Sequence, residues 1–173
     1  ILQARVDVLR ARLATQDEEE ALWADAAEGD RGDAPAGTGD ELKRLRENFR
    51  ASEWADRVPR WVELPLQTTV AGLTVRGRAD AIFPASPAER AEGLEWVVVD
   101  WKTSSAPGGQ QAAVAAVQLA CYRQAFAAWQ GLDPAVVGGA FFHAGNGVTL
   151  RPTLPAGAEL ERLVGLLRAG EEA

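Results

Sequence analysis

The 173-residue chain carries 25 acidic and 18 basic residues, a formal net charge of −7. Apolar residues make up 47% and charged residues 25%, the proportions of an ordinary globular protein, at a length that buries roughly 70% of the unfolded chain's surface. No apolar run approaches the ~18 residues of a membrane span, a lone cysteine, Cys121, excludes an internal disulfide, and one cysteine with one histidine excludes the usual structural zinc patterns.

There is no basic-then-apolar leader at the N-terminus, and the single thiol fits a reducing compartment, so a cytoplasmic setting is the expectation. The sequence begins at Ile1 and contains no methionine, which reads as a piece of something longer. Its basic residues are 16 Arg and two Lys, Lys43 and Lys102, so a lysine kept at a buried-looking position invites a chemical explanation. Asp17 to Asp40 holds nine acidic residues against Arg31, a segment charge of −8 that leaves the remainder at +1. The acidity is thus local and does not exclude a nucleic-acid partner.

In chain order, Val6, Leu9 and Leu13 recur at helical spacing and predict a short amphipathic helix to about residue 14. Asp25 to Gly39, rich in Gly, Asp and Ala, reads as a flexible linker. These give an N-terminal part, 1–39, of helix and acidic linker, and a folded domain, 40–173. Asp40 caps a second helix with Leu42, Leu45 and Phe49 on its apolar stripe, which stops before Pro59. Trp61–Val70 and Leu73–Phe83 read as strands joined by a hairpin turn at Ala71-Gly72, and Pro84–Gly93 as a loop. Trp96-Val97-Val98-Val99 is a continuous apolar run suited to a central strand covered on both faces. Pro107, Gly108 and Gly109 break the chain before a long helix over 110–130, closed by Gly131. Val136–His143 and Val148–Arg151 predict two further strands around Gly145-Asn146-Gly147, and Leu160, Leu163, Val164 and Leu167 mark a last helix. The fold class is α/β, with a mixed central sheet flanked by helices.

The chemistry concentrates in two strands. In Val99-Asp100-Trp101-Lys102, alternation puts Asp100 and Lys102 on one face and Trp101 on the other. Both charges stand at the exit of a buried strand, where an uncompensated charge costs several kcal/mol. They need each other, a metal or a ligand, and an ordinary ion pair would suffice. Asp80, in Gly77-Arg78-Ala79-Asp80, interrupts an apolar strand just upstream. If the two strands pair, Asp80 and Asp100 can converge on one divalent ion, and hard oxygen donors suit magnesium or manganese. Alternatively Asp80 bridges to Arg78. Gln118 and Tyr122 stand one turn apart on the long helix, beside the stripe of Val114, Val117, Cys121 and Ala125. There, a buried tyrosine satisfied by its neighbouring amide is the simpler alternative. Glu63 either assists a metal or is an exposed strand residue before Pro65.

The set Glu63, Gly77-Arg78-Ala79-Asp80, Val99-Asp100-Trp101-Lys102 and Gln118-Leu119-Ala120-Cys121-Tyr122 resembles the RecB-like branch of the PD-(D/E)XK nucleases. The flanking Ser52–Pro59 and Ala140-Phe141-Phe142-His143 are similar to the nuclease module of bacterial UvrD-type helicase–nucleases of the AdnAB type. The resemblance implies a restriction-endonuclease-like core from about Asp40 to Arg168 and metal-dependent hydrolysis of DNA phosphodiesters. It implies Asp80, Asp100 and the Trp101 carbonyl as ligands of Mg2+ or Mn2+, and Lys102 as the residue that holds the attacking water or neutralises transition-state charge. Gln118 and Tyr122 would contact DNA or orient the site, with Glu63 a possible accessory. The implied setting is nucleoid-associated: a single strand delivered by a helicase motor, in a larger helicase–nuclease chain with a second subunit, in double-strand-break repair and recombination, away from membranes.

RecB-like nucleases usually carry a histidine ligand on a helix upstream of the first Asp, and here no His precedes His143. His143 itself, in a predicted strand, reads as structural. The histidine-bearing helix either lies before Ile1 in a parent protein, which leaves a truncated active site here, or has been lost. In the second case the alternative is an inactive nuclease-fold module that binds DNA or a partner subunit. Trp23, Trp54, Trp61 and Trp129 could stack on bases, but aromatics beside apolar stripes are more often core. No Walker-type phosphate loop occurs, so an ATPase would lie elsewhere, and Cys121 lacks the partners of a nucleophile.

Overall fold

The computed structural model describes residues 39–104 and 109–171. The expected N-terminal helix, most of the acidic linker, Trp23 and the Pro107-Gly108 break lie outside them. Helix α1 (Gly39–Ala51) leads to β1 (Trp61–Val70), β2 (Leu73–Pro84), a short α2 (Pro87–Ala91) and β3 (Trp96–Lys102). Helix α3 (Gly109–Gln130), a 3-10 turn at Pro134–Val136, β4 (Val137–His143), β5 (Val148–Leu150) and α4 (Gly157–Glu171) complete the chain. The five strands form one mixed sheet in the order β1-β2-β3-β4-β5, in which only β3 and β4 run parallel. A parallel pair needs a crossover, and α3 supplies it. The architecture is α/β, as the alternation of apolar strands and helical stripes predicts.

The β1–β2 connection is a two-residue turn. Ala71 and Gly72 both take positive φ, 50° and 75°, the backbone that matches the twist of paired strands, and Val70 pairs directly with Leu73. The stretch read as a loop, Pro84–Gly93, contains a helix instead. Ser86 accepts from Glu89 N–H at 3.3 Å, Glu89 returns the bond by accepting from Ser86 N–H at 2.7 Å, and Pro87 starts the turn. This capping box was present in the sequence as Ser86-Pro87-Ala88-Glu89.

Each face of the sheet is covered. Leu45 and Phe49 of α1, with Trp54, pack on Ala81, Phe83, Val97, Val99, Trp101 and Phe142. On the other face Leu119, Tyr122 and Phe126 of α3 meet Leu66, Ala79, Ile82, Val98 and Phe141. Helix α3 has a second apolar side, Val117, Ala120 and Cys121, against Leu160 and Val164 of α4. The single stripe expected for α3 is thus two, because the helix is sandwiched between sheet and helix.

Trp54 is fully buried, and its indole N–H donates to Thr149 Oγ1 at 3.0 Å. Around it Arg57, Arg151, Glu53 and Glu89 form an ion-pair network that ties the 52–57 segment and α2 to the strand exit at Arg151. Trp61 is half-buried against Trp96 and Phe126, whereas Trp129 is exposed.

Candidate active site

The site arises where β2 parts from β3. Their antiparallel pairing runs from Pro84↔Trp96 to Ala81↔Val99 and then stops, while β3 continues beside β4 as far as Lys102↔His143. At the same point the β1–β2 hairpin turns over. Trp61 and Ile82 face α3, and so do Leu64, Leu66 and Ala79. These intervals cannot be spanned by regular alternation, so both strands switch faces between them. The Glu63–Asp80 pair drops out of an otherwise continuous register, and Glu63 takes φ 54°, a left-handed conformation costly for a side chain of its size. The switch leaves Asp80 buried and directed at the parting strand.

Asp80 Oδ2 accepts the main-chain N–H of Trp101 at 2.7 Å. Because that nitrogen is bonded to Asp100, the covalent path holds the two carboxylates within about 9 Å of each other. Asp100 is buried, and Lys102 Nζ lies 2.9 Å from its Oδ2 in an ion pair that lacks the alignment of a hydrogen bond. Trp101 points the other way, into the α1 core beside Phe49, Trp54, Phe83 and Phe142, which fixes which face of β3 carries the two charges.

Helix α3 closes the site from above. Gln118 Nε2 donates to the Tyr122 hydroxyl at 3.0 Å, and that oxygen also accepts the Arg78 main-chain N–H. Burial raises the Tyr122 pKa, and the Asp100 charge raises it further against the opposing Gln118, Arg78 and Lys102. The phenol therefore stays protonated, and a donor, at neutral pH. Gly77 makes this docking possible: a Cβ there would stand 2.4 Å from Tyr122 Cε1 and from its hydroxyl. The contact present is the simpler alternative, a buried tyrosine satisfied by the neighbouring Gln118 amide.

The Arg78 guanidinium pairs with Glu63 at 3.5 Å, which gives Glu63 a partner on the neighbouring strand. His143, read as structural, is buried with its Nδ1 3.3 Å from Ser104 O, and the register sets it beside Lys102. Burial lowers its pKa, the Ser104 carbonyl partly offsets this, and the Lys102 charge adds to the lowering. Its proximity to the charged pair was not legible in sequence, since only the parallel register of β3 and β4 reveals it.

The PD-(D/E)XK nuclease superfamily matches residues 2–163. The chain belongs to that superfamily. Members generally use divalent metals, and the site can be tested against that chemistry. Two carboxylates and a main-chain carbonyl are hard oxygen donors, and Asp100 Oδ2 is a buried oxygen without an aligned hydrogen-bond donor. Among the described residues no group of three His, Cys, Asp or Glu could hold a metal ion. The hard oxygen donors present suit a hard divalent cation.

A solved structure described as "Crystal structure of SSO0001" is similar at 18% identity over 94% of this chain and 70% of that one, with a TM-score of 0.41. No curated protein matches the chain. Among the described residues no helix is long and apolar enough to cross a membrane.

Proposed function

We propose that this PD-(D/E)XK domain is a divalent-metal-dependent DNA nuclease in which Asp80, Asp100 and Lys102 are the catalytic residues. The observation that carries the reading is the hydrogen bond from Trp101 N–H to Asp80, which brings two buried carboxylates and the Lys102 ammonium to one gap between strands. Asp80, Asp100 and the Trp101 carbonyl would hold Mg2+ or Mn2+. The chemistry such an ion supplies when bound is a lowered pKa for the attacking water and uptake of negative charge at phosphorus.

The chain's own residues do the rest. Lys102 balances Asp100, and its compact, flexible point charge suits an oxyanion that develops during reaction better than a rigid guanidinium fork. It would hold the attacking water or neutralise charge on the phosphoryl oxygens. Tyr122, kept protonated and fixed by Gln118, would donate to a DNA backbone oxygen or orient Asp100, with Glu63 an accessory.

We further propose a RecB-like, AdnAB-like setting: residues 40–173 as the nuclease domain behind an N-terminal 1–39 segment, in a nucleoid-associated helicase–nuclease with a second subunit. A helicase motor would deliver single-stranded DNA in double-strand-break repair and recombination. Asp100→Ala or Lys102→Ala should abolish Mg2+- or Mn2+-dependent cleavage of single-stranded DNA, and unchanged cleavage rejects the assignment. The second reading is an inactive module that binds DNA or a partner, its Asp100 and Lys102 serving only as a buried ion pair. Calorimetric titration with manganese separates the two, since the nuclease requires binding that Asp80→Ala removes.

A further inference from the structure

Lys102 ends the central strand where that strand has already lost β2 as a neighbour, so its position depends on β4 and on the β4–β5 turn. That turn grips the chain just beyond Lys102. Ala144 N–H donates to Lys102 O at 2.7 Å, and His143 Nδ1 reaches Ser104 O at 3.3 Å. Gly145 lies so close that a Cβ there would stand 2.6 Å from Thr103 O and 3.0 Å from the Ser104 carbonyl carbon. The turn is anchored in its own right: Asn48 of α1 donates to Ala144 O at 2.7 Å, and a Cβ at Gly147 would stand 3.5 Å from the Asn48 side chain.

A carbonyl can only accept, so the Ser104 contact requires the proton on His143 Nδ1, and the neutral ring is thereby fixed in one tautomer and one orientation. An apolar residue of the same volume could fill the space but would leave the Ser104 carbonyl without this donor.

We propose that His143 is a positioning residue for Lys102: its ring, tied to Ser104, clamps the chain after Lys102 so that the ammonium stays on Asp100. The catalytic half of this inference rests on the nuclease reading given above; the positioning half does not. Lys43 and Lys102 are the only lysines, so the side-chain ammonium NMR spectrum of the 173-residue chain resolves Lys102 against Lys43, which is largely exposed.

In the wild-type chain and in His143→Asn, which restores a donor near the Nδ1 position, a distinct, slowly exchanging Lys102 signal is expected. In His143→Leu and Gly145→Ala it should collapse toward that of Lys43. With Mn2+ and single-stranded DNA, the latter two should lose on the order of 10²-fold in kcat, the scale of an ångström's misplacement, at unchanged KM. His143→Asn should recover most of that loss. A Lys102 signal and kcat that survive in His143→Leu overturn the proposal, as does a His143→Asn variant damaged as badly as His143→Leu. If the wild-type chain cleaves nothing while the Lys102 signal still responds to His143 in this way, the nuclease reading fails and the positioning role stands.

Discussion

The contact between Gly77 and Tyr122 yields a prediction whose sign depends on its partner. Gly77 has no positive φ, so its backbone accepts alanine, and replacing a strand glycine stabilises by about 0.4–1 kcal/mol where space allows. Space is absent: the added methyl would stand 2.4 Å from the Tyr122 ring edge and hydroxyl and 2.7 Å from Cζ. Tyr122 is buried and tethered by Gln118 and Arg78, so it cannot yield cheaply. Overpacking of this kind costs about 1–3 kcal/mol, and displacing the hydroxyl gives up hydrogen bonds of about 0.5–1.5 kcal/mol each. Gly77→Ala should therefore destabilise by about 1–4 kcal/mol in the native background. Tyr122→Leu removes the clashing atoms, and in that background Gly77→Ala should be neutral or stabilising. Urea unfolding followed by tryptophan fluorescence measures all four corners of the cycle. Equal destabilisation in both backgrounds would refute the steric argument.

Two further outcomes concern the charged network and the thiol. Burial alone would raise the Glu89 pKa, but Arg57, the Ser86 N–H and Arg151 overcome it and lower it from 4.5 to about 2. That difference corresponds to on the order of 3 kcal/mol. A depressed carboxylate pKa stabilises above the unfolded value, so the contribution is complete above pH 4.5 and fades as pH falls toward 2. The stability gap between wild type and Glu89→Gln in urea melts should shrink over that window; a gap independent of pH would contradict the assignment. Cys121 is buried between α3 and α4 with its pKa raised by that burial, so the native thiol should resist a disulfide reagent until urea unfolds the chain. Rapid labelling of the folded protein would show that this layer opens.

Much of the fold was written in local pattern. The apolar run Val97-Val98-Val99 and the breaks at Ala71-Gly72 and Gly131 fix a central strand, a hairpin and a helix end through short-range chemistry alone. The capped helix at Pro87–Ala91 was equally local, and its Ser86–Glu89 signature was readable. Asp100 and Lys102 were legible because alternation along one strand decides that they share a face. The contacts that were not legible depend on pairing between distant segments: Glu63 with Arg78, Tyr122 on Gly77, and His143 beside Lys102 each require a register that no single segment specifies. The double apolar side of α3 belongs to the same class, since its second layer, α4, comes 27 residues after the helix ends.

The parting of β2 from β3 has a mechanical consequence. Beyond Ala81 the hairpin and the central strand share no ladder, and Asp80 reaches across the mouth with a carboxylate where a ladder would use main chain on both sides. The width of the cleft therefore follows a side chain's reach, and an anion that competes with Asp80 for the Trp101 N–H would widen it while the sheet's own rungs stay intact.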